Sequence, residues 1–425
     1  MTILTTILTL APAFGGVSEP SGGLLAIKVG RAETVSGAAI EHAVILVDDG
    51  KILEIGADLP VARGIPVFER PDWVVMPGLV SCYTRLGVDG RAGQEFSPEA
   101  SPTPEVQPRH PDYKEVLEAG VTTIGLYPPG TGFPGHASAL RPHGATLAEM
   151  LVDEDAYLKV YFRANAQAKK QVRDVWSKVD EHDEKVKKAK EKFDKDSKGK
   201  SSDKKDDEKK DGEKKDGEAK PEEKKADDKS KAFVPPEADP KTKPFLQVRD
   251  GELGMLVSIA QAADWAHWVD AIGERKLDFS LRVVMTREID LFEVKDEIGK
   301  RGVRVVMEPQ ISLVPGTMRQ RNLAAELSAS GAKIAFKPRN DTVADHAAML
   351  RHVGEMIGAG LAREVALKGV TLEPAAVLKL ENQLGSLEKG KVANLLFLNG
   401  DPFEPSTQVM AVMLDGEFVS GEVKE

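Results

Sequence analysis

Cysteine occurs once in the 425 residues, at Cys82. No disulfide can therefore form within the chain, and no cluster of thiolates can hold a metal. Aromatic side chains make up only 5% of the sequence, and no apolar run approaches the ~18 to 20 residues that cross a bilayer. Positive charge is in deficit. The formal charge is -10, which excludes the broadly basic face that nucleic acid or an anionic lipid surface requires. Histidine is sparse too: His42, His110, His136, His143, His182, His267, His346 and His352 include no HxH or HxxxH pair. Those are spacings that set two imidazoles on one side of a strand or helix. No G-x-S-x-G elbow and no phosphate-cradling loop occurs.

What is present allows a sizeable core and more than one domain. Hydrophobic residues reach an ordinary 41%, while the 30% of charged residues is high and has a local cause. Residues 166–244 are dominated by Lys, Glu and Asp and hold little that could build a core, so this insertion is expected to be largely disordered. Its upstream part, AQAKKQVRDVWSKVDEHDEKVKKAKEKF, has the i to i+4 charge pairs of a solvated helix. At the other end, residues 1–23 carry an apolar run and Ala11-Pro12-Ala13, the pattern of an export-signal cleavage region, although no Lys or Arg precedes Lys28. The expectation is a signal or disordered segment, with export to a periplasmic or extracellular location and a cytoplasmic one as the alternative.

The remainder alternates in an orderly way. LLAIKVG, AVILVDDG and KILEIGAD read as short strands, with Asp48-Asp49-Gly50-Lys51 as a hairpin turn. From Gly254, apolar runs alternate with helical stretches: GMLVSIA then ADWAHWVDAIGERK, FSLRVVMT then DLFEVKDEIGKRG, VRVVMEP then RNLAAELSASG, AKIAFKP then ADHAAMLRHVGEMIGAG. Four such pairs in sequence predict parallel strands with helical crossovers, and their even spacing suits a (β/α)8 TIM-like barrel. The final runs, LGSLEKGKVANLLFLNGDPFEP and MAVMLDGEFVSG, return to the short-strand pattern. The fold class expected is therefore α/β, a barrel plus a small composite β domain built from both chain ends. The boundaries read as 24–75 with 388–425 for a composite β-sandwich, and 76–165 with 245–387 for the barrel.

At VVMPGLVSCYTRLG, Val74 to Gly87, the sequence resembles the metal-dependent amidohydrolase superfamily, most closely its imidazolonepropionase-like branch. The first barrel strand of that family ends in P-G-L-(I/V)-D-x-H-x-H. Here the frame reads Pro77, Gly78, Leu79, Val80, Ser81, Cys82, Tyr83, Thr84, Arg85. GVTTIGLYPPGTGFPGHASALRPHGATLAEML resembles the branch's strand and glycine-loop segment, and TLEPAAVLKLENQLGSLEKGKVANLLFLNGDPFEP its return into the β domain. The resemblance implies a hydrolase of non-peptide C–N bonds that uses zinc or another divalent metal, held by the HxH pair and later histidines. An aspartate after the last strand would serve as ligand and general base. Metal chemistry of this kind lowers the pKa of bound water and polarises the scissile carbonyl.

The matching positions of this chain hold other groups. Tyr83 and Arg85 occupy the HxH places, and Arg carries a permanent positive charge where a cation would sit. Met255 to Asp264 and Arg282 to Asp290, where later histidines are expected, contain none. After the last strand stand Lys337, Pro338, Arg339, Asn340 and Asp341. The expectation is a barrel without cofactor, a non-catalytic binding or scaffolding protein, with Tyr83, Arg85, His136, Arg287, Arg339 and Asp341 as ligand-binding candidates and Lys337 beside them. Arg85, Arg287, Lys337 and Arg339 would replace the metal's charge toward a small anionic ligand. A homodimer or an active paralogue is the expected partner. The alternative is an active hydrolase with a reduced or displaced metal site drawn from Asp341, Asp89 and His136. Cys82 alternates to the other side of its strand and reads as a buried structural thiol.

Overall fold

The computed structural model describes residues 23–88, 93, 95–202 and 233–421. The signal-like start, Asp89 and residues 203–232 of the charged insertion lie outside the described residues. In chain order the strands are β1 (Leu25–Ala32), β2 (Ile40–Asp48), β3 (Lys51–Ala57), β4 (Val67–Pro77), β5 (Leu79–Thr84), β6 (Val121–Leu126), β7 (Gly132–Leu140), β8 (Leu151–Tyr161), β9 (Gly254–Ile259), β10 (Ser280–Val283), β11 (Arg304–Met307), β12 (Ser312–Leu313), β13 (Gln320–Arg321), β14 (Lys333–Phe336), β15 (Leu395–Leu398), β16 (Val409–Leu414) and β17 (Glu417–Gly421). The chain divides into two compact units. One holds the chain up to Gly78, Ser386–Pro402 and the chain from Ser406; the other holds Leu79–Gly385 and Phe403–Pro405.

The first unit is one hydrogen-bonded sheet of seven strands in the order β17-β16-β15-β4-β1-β2-β3, where the sequence suggests a sandwich. β1 pairs in parallel with β4 and β4 antiparallel with β15, so strands from both ends of the chain are interleaved. Alternate residues of β1, β2 and β15 (Ile27, Val29, Ile45, Val47, Leu395, Phe397) enter its core, as the two-residue period of a strand demands. Phe68, Trp73, Phe397 and Phe418 form a cluster of tilted and edge-on rings.

The second unit is built on a nearly closed, barrel-like sheet in the order β14-β11-β10-β9-β8-β7-β6-β5. Its strands are buried on both faces; every residue of β5, β6 and β9 is buried, as expected where helices cover a parallel sheet. The terminal strands β5 and β14 both pack against the helix Leu372–Val377. Seven strands are parallel, but β7 runs antiparallel to both β6 and β8. The uniform βα repeat expected from sequence therefore fails at one place. Only Tyr127-Pro128-Pro129-Gly130-Thr131 separates β6 from β7, far short of the dozen or so residues a parallel crossover needs. The chain must turn back. Gly135 on β7 has φ +142°, and a Cβ there would lie 2.3 Å from the Ala100 carbonyl oxygen, so only glycine fits.

The charged insertion also differs from expectation. Ala166–Ser202 is a single helix, and its first turns are packed instead of solvated. Val172, Val175, Trp176 and Val179 fall at i, i+3, i+4 and i+7 and are buried, one stripe of a helix surface. Trp176 meets Phe245 edge-on at 6.1 Å between ring centres. Around the stripe, Asp270 pairs with Lys169 and Arg173, Asp180 with Arg275, and Asp183 with Arg249.

A candidate ligand site at the carboxyl ends of the barrel strands

The site forms where β5, β6, β8, β10, β11 and β14 end. Tyr83, near the end of β5, is 3% exposed and stacks on Tyr127, which follows β6, with ring centres 3.8 Å apart and planes 16° from parallel. The pair lies among cations. Arg282 of β10 has its Cζ 4.6 Å from the Tyr83 ring centre, and Lys159 of β8 has its Nζ 4.5 Å from that of Tyr127. These are distances at which a ring's negative face attracts a cation. The Tyr127 hydroxyl donates to Asp341 Oδ2 at 3.0 Å.

Four positive side chains gather here, each held differently. Arg85 donates through Nη1 to the Tyr127 carbonyl at 2.8 Å and through Nη2 to Glu105 Oε2 at 2.7 Å. Lys337 donates to Glu308 Oε1 at 2.9 Å and to the Pro338 carbonyl at 2.7 Å. Arg282 Nη2 lies 3.6 Å from the same Glu308 oxygen. Lys159 alone has no carboxylate partner among the described residues. Its Nζ donates to the carbonyl oxygens of Pro128 at 2.7 Å and Gly130 at 3.3 Å. Arg282 Nε, Glu308 Oε2 and Ser258 Oγ are buried without hydrogen-bond partners among the described residues.

Burial sets the protonation states. It brings the Lys159 ammonium down to about 7, assisted by the positive charges of Arg282 and Arg85 and opposed by Asp341. It pushes the Tyr83 phenol up to about 12 against the pull of Arg282. The Tyr127 phenol is raised further, by burial and then by Tyr83 and Asp341. Cys82 is fully buried and its thiol rises to about 12, an inert packing residue.

A cavity of about 570 Å³ opens at this end of the barrel, lined among others by Arg85, His110, Tyr127, Gly130, Lys159 and Asp341. Of the residues singled out from sequence, Tyr83, Arg85, Lys337 and Asp341 are brought together here. His136, Arg287 and Arg339 are not. His136 sits on β7, where its Nδ1 pairs with Asp155 and its backbone N–H donates to Ala100. Burial lowers its pKa. Arg287 is exposed in the loop after β10, its carbonyl accepting from Leu313 at 2.8 Å. Arg339 turns away to the Pro309 carbonyl, at 3.0 and 2.8 Å, and to Glu355 at 2.8 Å.

Sequence reasoning passed over Lys159, Tyr127, Arg282 and Glu308. A signal existed for two of them: YLKVY and SLRVV each hold one charged residue inside an apolar strand, and a charge in such a strand must meet a partner or a cavity. His346 is 0% exposed. Its Nε2 lies 3.1 Å from Ser81 Oγ on β5 and its Nδ1 2.8 Å from the Thr342 carbonyl.

Residues 297–423 match the sequence profile of the amidohydrolase family. The fold is similar to that of an amidohydrolase from Thermotoga maritima MSB8, with TM-score 0.73 and 18% identity over 93% of this chain and 100% of that one. The C-terminal third thus resembles the amidohydrolase family in sequence, and the chain as a whole resembles an amidohydrolase in fold. Other solved structures share the fold more distantly. A Xaa-Pro dipeptidase with bound methionine in its active site has TM-score 0.52 and 14% identity, over 94% and 100% of the two chains. A second amidohydrolase has TM-score 0.54 and 13% identity, with the same coverage. No curated protein matches the chain. Among the described residues no helix is long and apolar enough to cross a membrane.

Proposed function

We propose that this protein, with its amidohydrolase-like fold, binds a small anionic molecule in the cavity of Arg85, Tyr127, Lys159 and Asp341 and does not carry out metal-dependent hydrolysis. The observation that carries the reading is the Lys159 ammonium, which lines the cavity and pairs with no carboxylate among the described residues. An anionic ligand supplies the missing countercharge.

The residues present do not suit a divalent metal. Metal ligands are deprotonated thiolates, carboxylates or neutral imidazoles. The Tyr83 phenol keeps its proton until about 12 and is occupied by stacking. Arg85 and Arg282 are permanently charged cations beside it. Among the described residues, no three or more His, Cys, Asp or Glu side chains are placed to hold a metal ion. Asp341 and His136, two materials for a displaced site, have separate partners in Tyr127 and Asp155.

The test is a melting-temperature screen with sulfate, phosphate, acetate and oxalate, alongside elemental analysis after growth with zinc and manganese. A binding anion at a hundredfold excess over its Kd adds about 2.7 kcal/mol, several degrees for a domain of this size. Metal below about a tenth of an equivalent per chain sustains the proposal. Stoichiometric metal, or no response to any anion, overturns it.

A further inference from the structure

We propose that Lys159 captures carbonyl compounds: its Nζ forms a reversible imine with a small aldehyde or ketone that carries a carboxylate, such as a 2-oxo acid. This deepens the anion-binding reading and rests on the same cavity being the ligand site.

The contrast with Lys337 is the first support. Both lysines are buried near the ends of barrel strands, at 3% and 4% exposure. Lys337 is given Glu308 at 2.9 Å, the arrangement of a structural ion pair. Lys159 is given two backbone carbonyls, at 2.7 and 3.3 Å, and an aromatic face. A neutral amine has two N–H bonds, one for each carbonyl, and keeps its lone pair for attack. Secondly, Lys159 lines a cavity large enough for a small molecule, and Arg85 on the same wall presents positive charge to a carboxylate. Thirdly, desolvation and neighbouring cations are the two means by which lysines are made nucleophilic, and Lys159 has both, through its burial and through Arg282 and Arg85. About half of the Lys159 side chains are neutral near pH 7 as a result.

The step balances without any oxidant or reductant. The neutral Nζ adds to the carbonyl carbon, a C–N bond forms, and the carbonyl oxygen takes up a proton to give a carbinolamine. Nitrogen then loses its proton as the hydroxyl leaves with another, so amine and carbonyl become imine and water. Water entering the open cavity carries these protons from nitrogen to oxygen.

The experiment treats the full chain with limiting glyoxylate and sodium cyanoborohydride at pH 7, then maps the carboxymethyl adduct by peptide mass spectrometry. Melting temperatures with glyoxylate and with acetate are recorded in parallel. Lys159 is expected to react on the order of tenfold faster than exposed lysines, which are almost wholly protonated at this pH. Lys159→Arg removes the nucleophilic amine and is expected to lose the adduct. If that variant does not fold, the adduct map of the unmodified protein decides alone. Labelling spread over exposed lysines, with Lys159 no faster, overturns the inference. A rise with both anions and no Lys159 adduct overturns the imine and leaves anion binding standing. An adduct at Lys159 with no anion response upholds the imine and removes the anion-binding role.

Discussion

The Lys159 ammonium sits 4.5 Å from the centre of the Tyr127 ring, and Tyr127 in turn stacks at 3.8 Å on Tyr83. A charge from β8 is thus supported by ring faces and backbone carbonyls from the β5–β6 side of the barrel, with no carboxylate paired to it among the described residues and only the more distant Asp341 opposing its loss. That arrangement costs folding free energy, and the cost has a definite pH dependence.

Lys159 has a folded-state pKa near 7 and an unfolded one near 10.4. Between these values the unfolded chain binds the extra proton, so stability rises with pH across this window. Its contribution is fully present above about 10.4 and is lost as pH falls through about 7. Lys159→Met removes the burden. The variant is expected to be more stable than the parent by a few kcal/mol at pH 6, with the gap closing toward pH 10. Urea denaturation of both proteins at pH 6, 8 and 10 measures this; a gap independent of pH would show that Lys159 titrates normally.

The stacked tyrosines separate packing from hydrogen bonding. Tyr83→Ala empties a buried ring site and is expected to cost about 3 to 5 kcal/mol. Tyr127→Phe keeps the stack and loses one hydrogen bond to an exposed carboxylate, at a cost of about 1 kcal/mol or less. Chemical denaturation gives both values, and equal losses would mean that the ring stack contributes little.

Much of this architecture was legible because buried parallel strands are continuous apolar runs, as in GMLVSIA and AKIAFKP. The hairpin of β6 and β7 was harder, since Pro128-Pro129-Gly130 marks a stop without stating which way the chain goes next. The packed turns around Trp176 were hidden by composition: four apolar residues at helical spacing vanish in an average taken over a lysine-rich segment. At the site, Tyr83 and Arg85 stood in a recognisable frame, while Lys159 and Arg282 belonged to no motif. Arg287 and Arg339 illustrate the converse. Each lies in a loop, where sequence position gives no direction; Arg287 is exposed and Arg339 is bound to Pro309 and Glu355.

The docking of the long helix follows from its apolar stripe and not from its charges. Trp176→Ala is expected to cost about 3 kcal/mol or more. Lys170→Ala, which removes an exposed i to i+4 pair with Asp174, should change stability by less than about 0.5 kcal/mol. Thermal unfolding of the two variants compares them directly. Comparable effects would mean that charge, and not burial, holds the helix.

His346 joins the two edges of the barrel-like sheet, through Ser81 Oγ on β5 at 3.1 Å and the Thr342 carbonyl at 2.8 Å after β14. Burial lowers its pKa below the usual 6.5. The unfolded chain therefore takes up a proton that the folded chain refuses. Stability from this group is present above about 6.5 and is lost as pH falls through the lower folded value. His346→Gln cannot titrate and is expected to flatten the stability profile between pH 7 and 5, while costing about 1 to 3 kcal/mol at neutral pH through its altered hydrogen bonds. Denaturation midpoints of parent and variant across that range decide the point. An unchanged slope would assign acid sensitivity to other groups and leave His346 a purely structural link between β5 and the segment after β14.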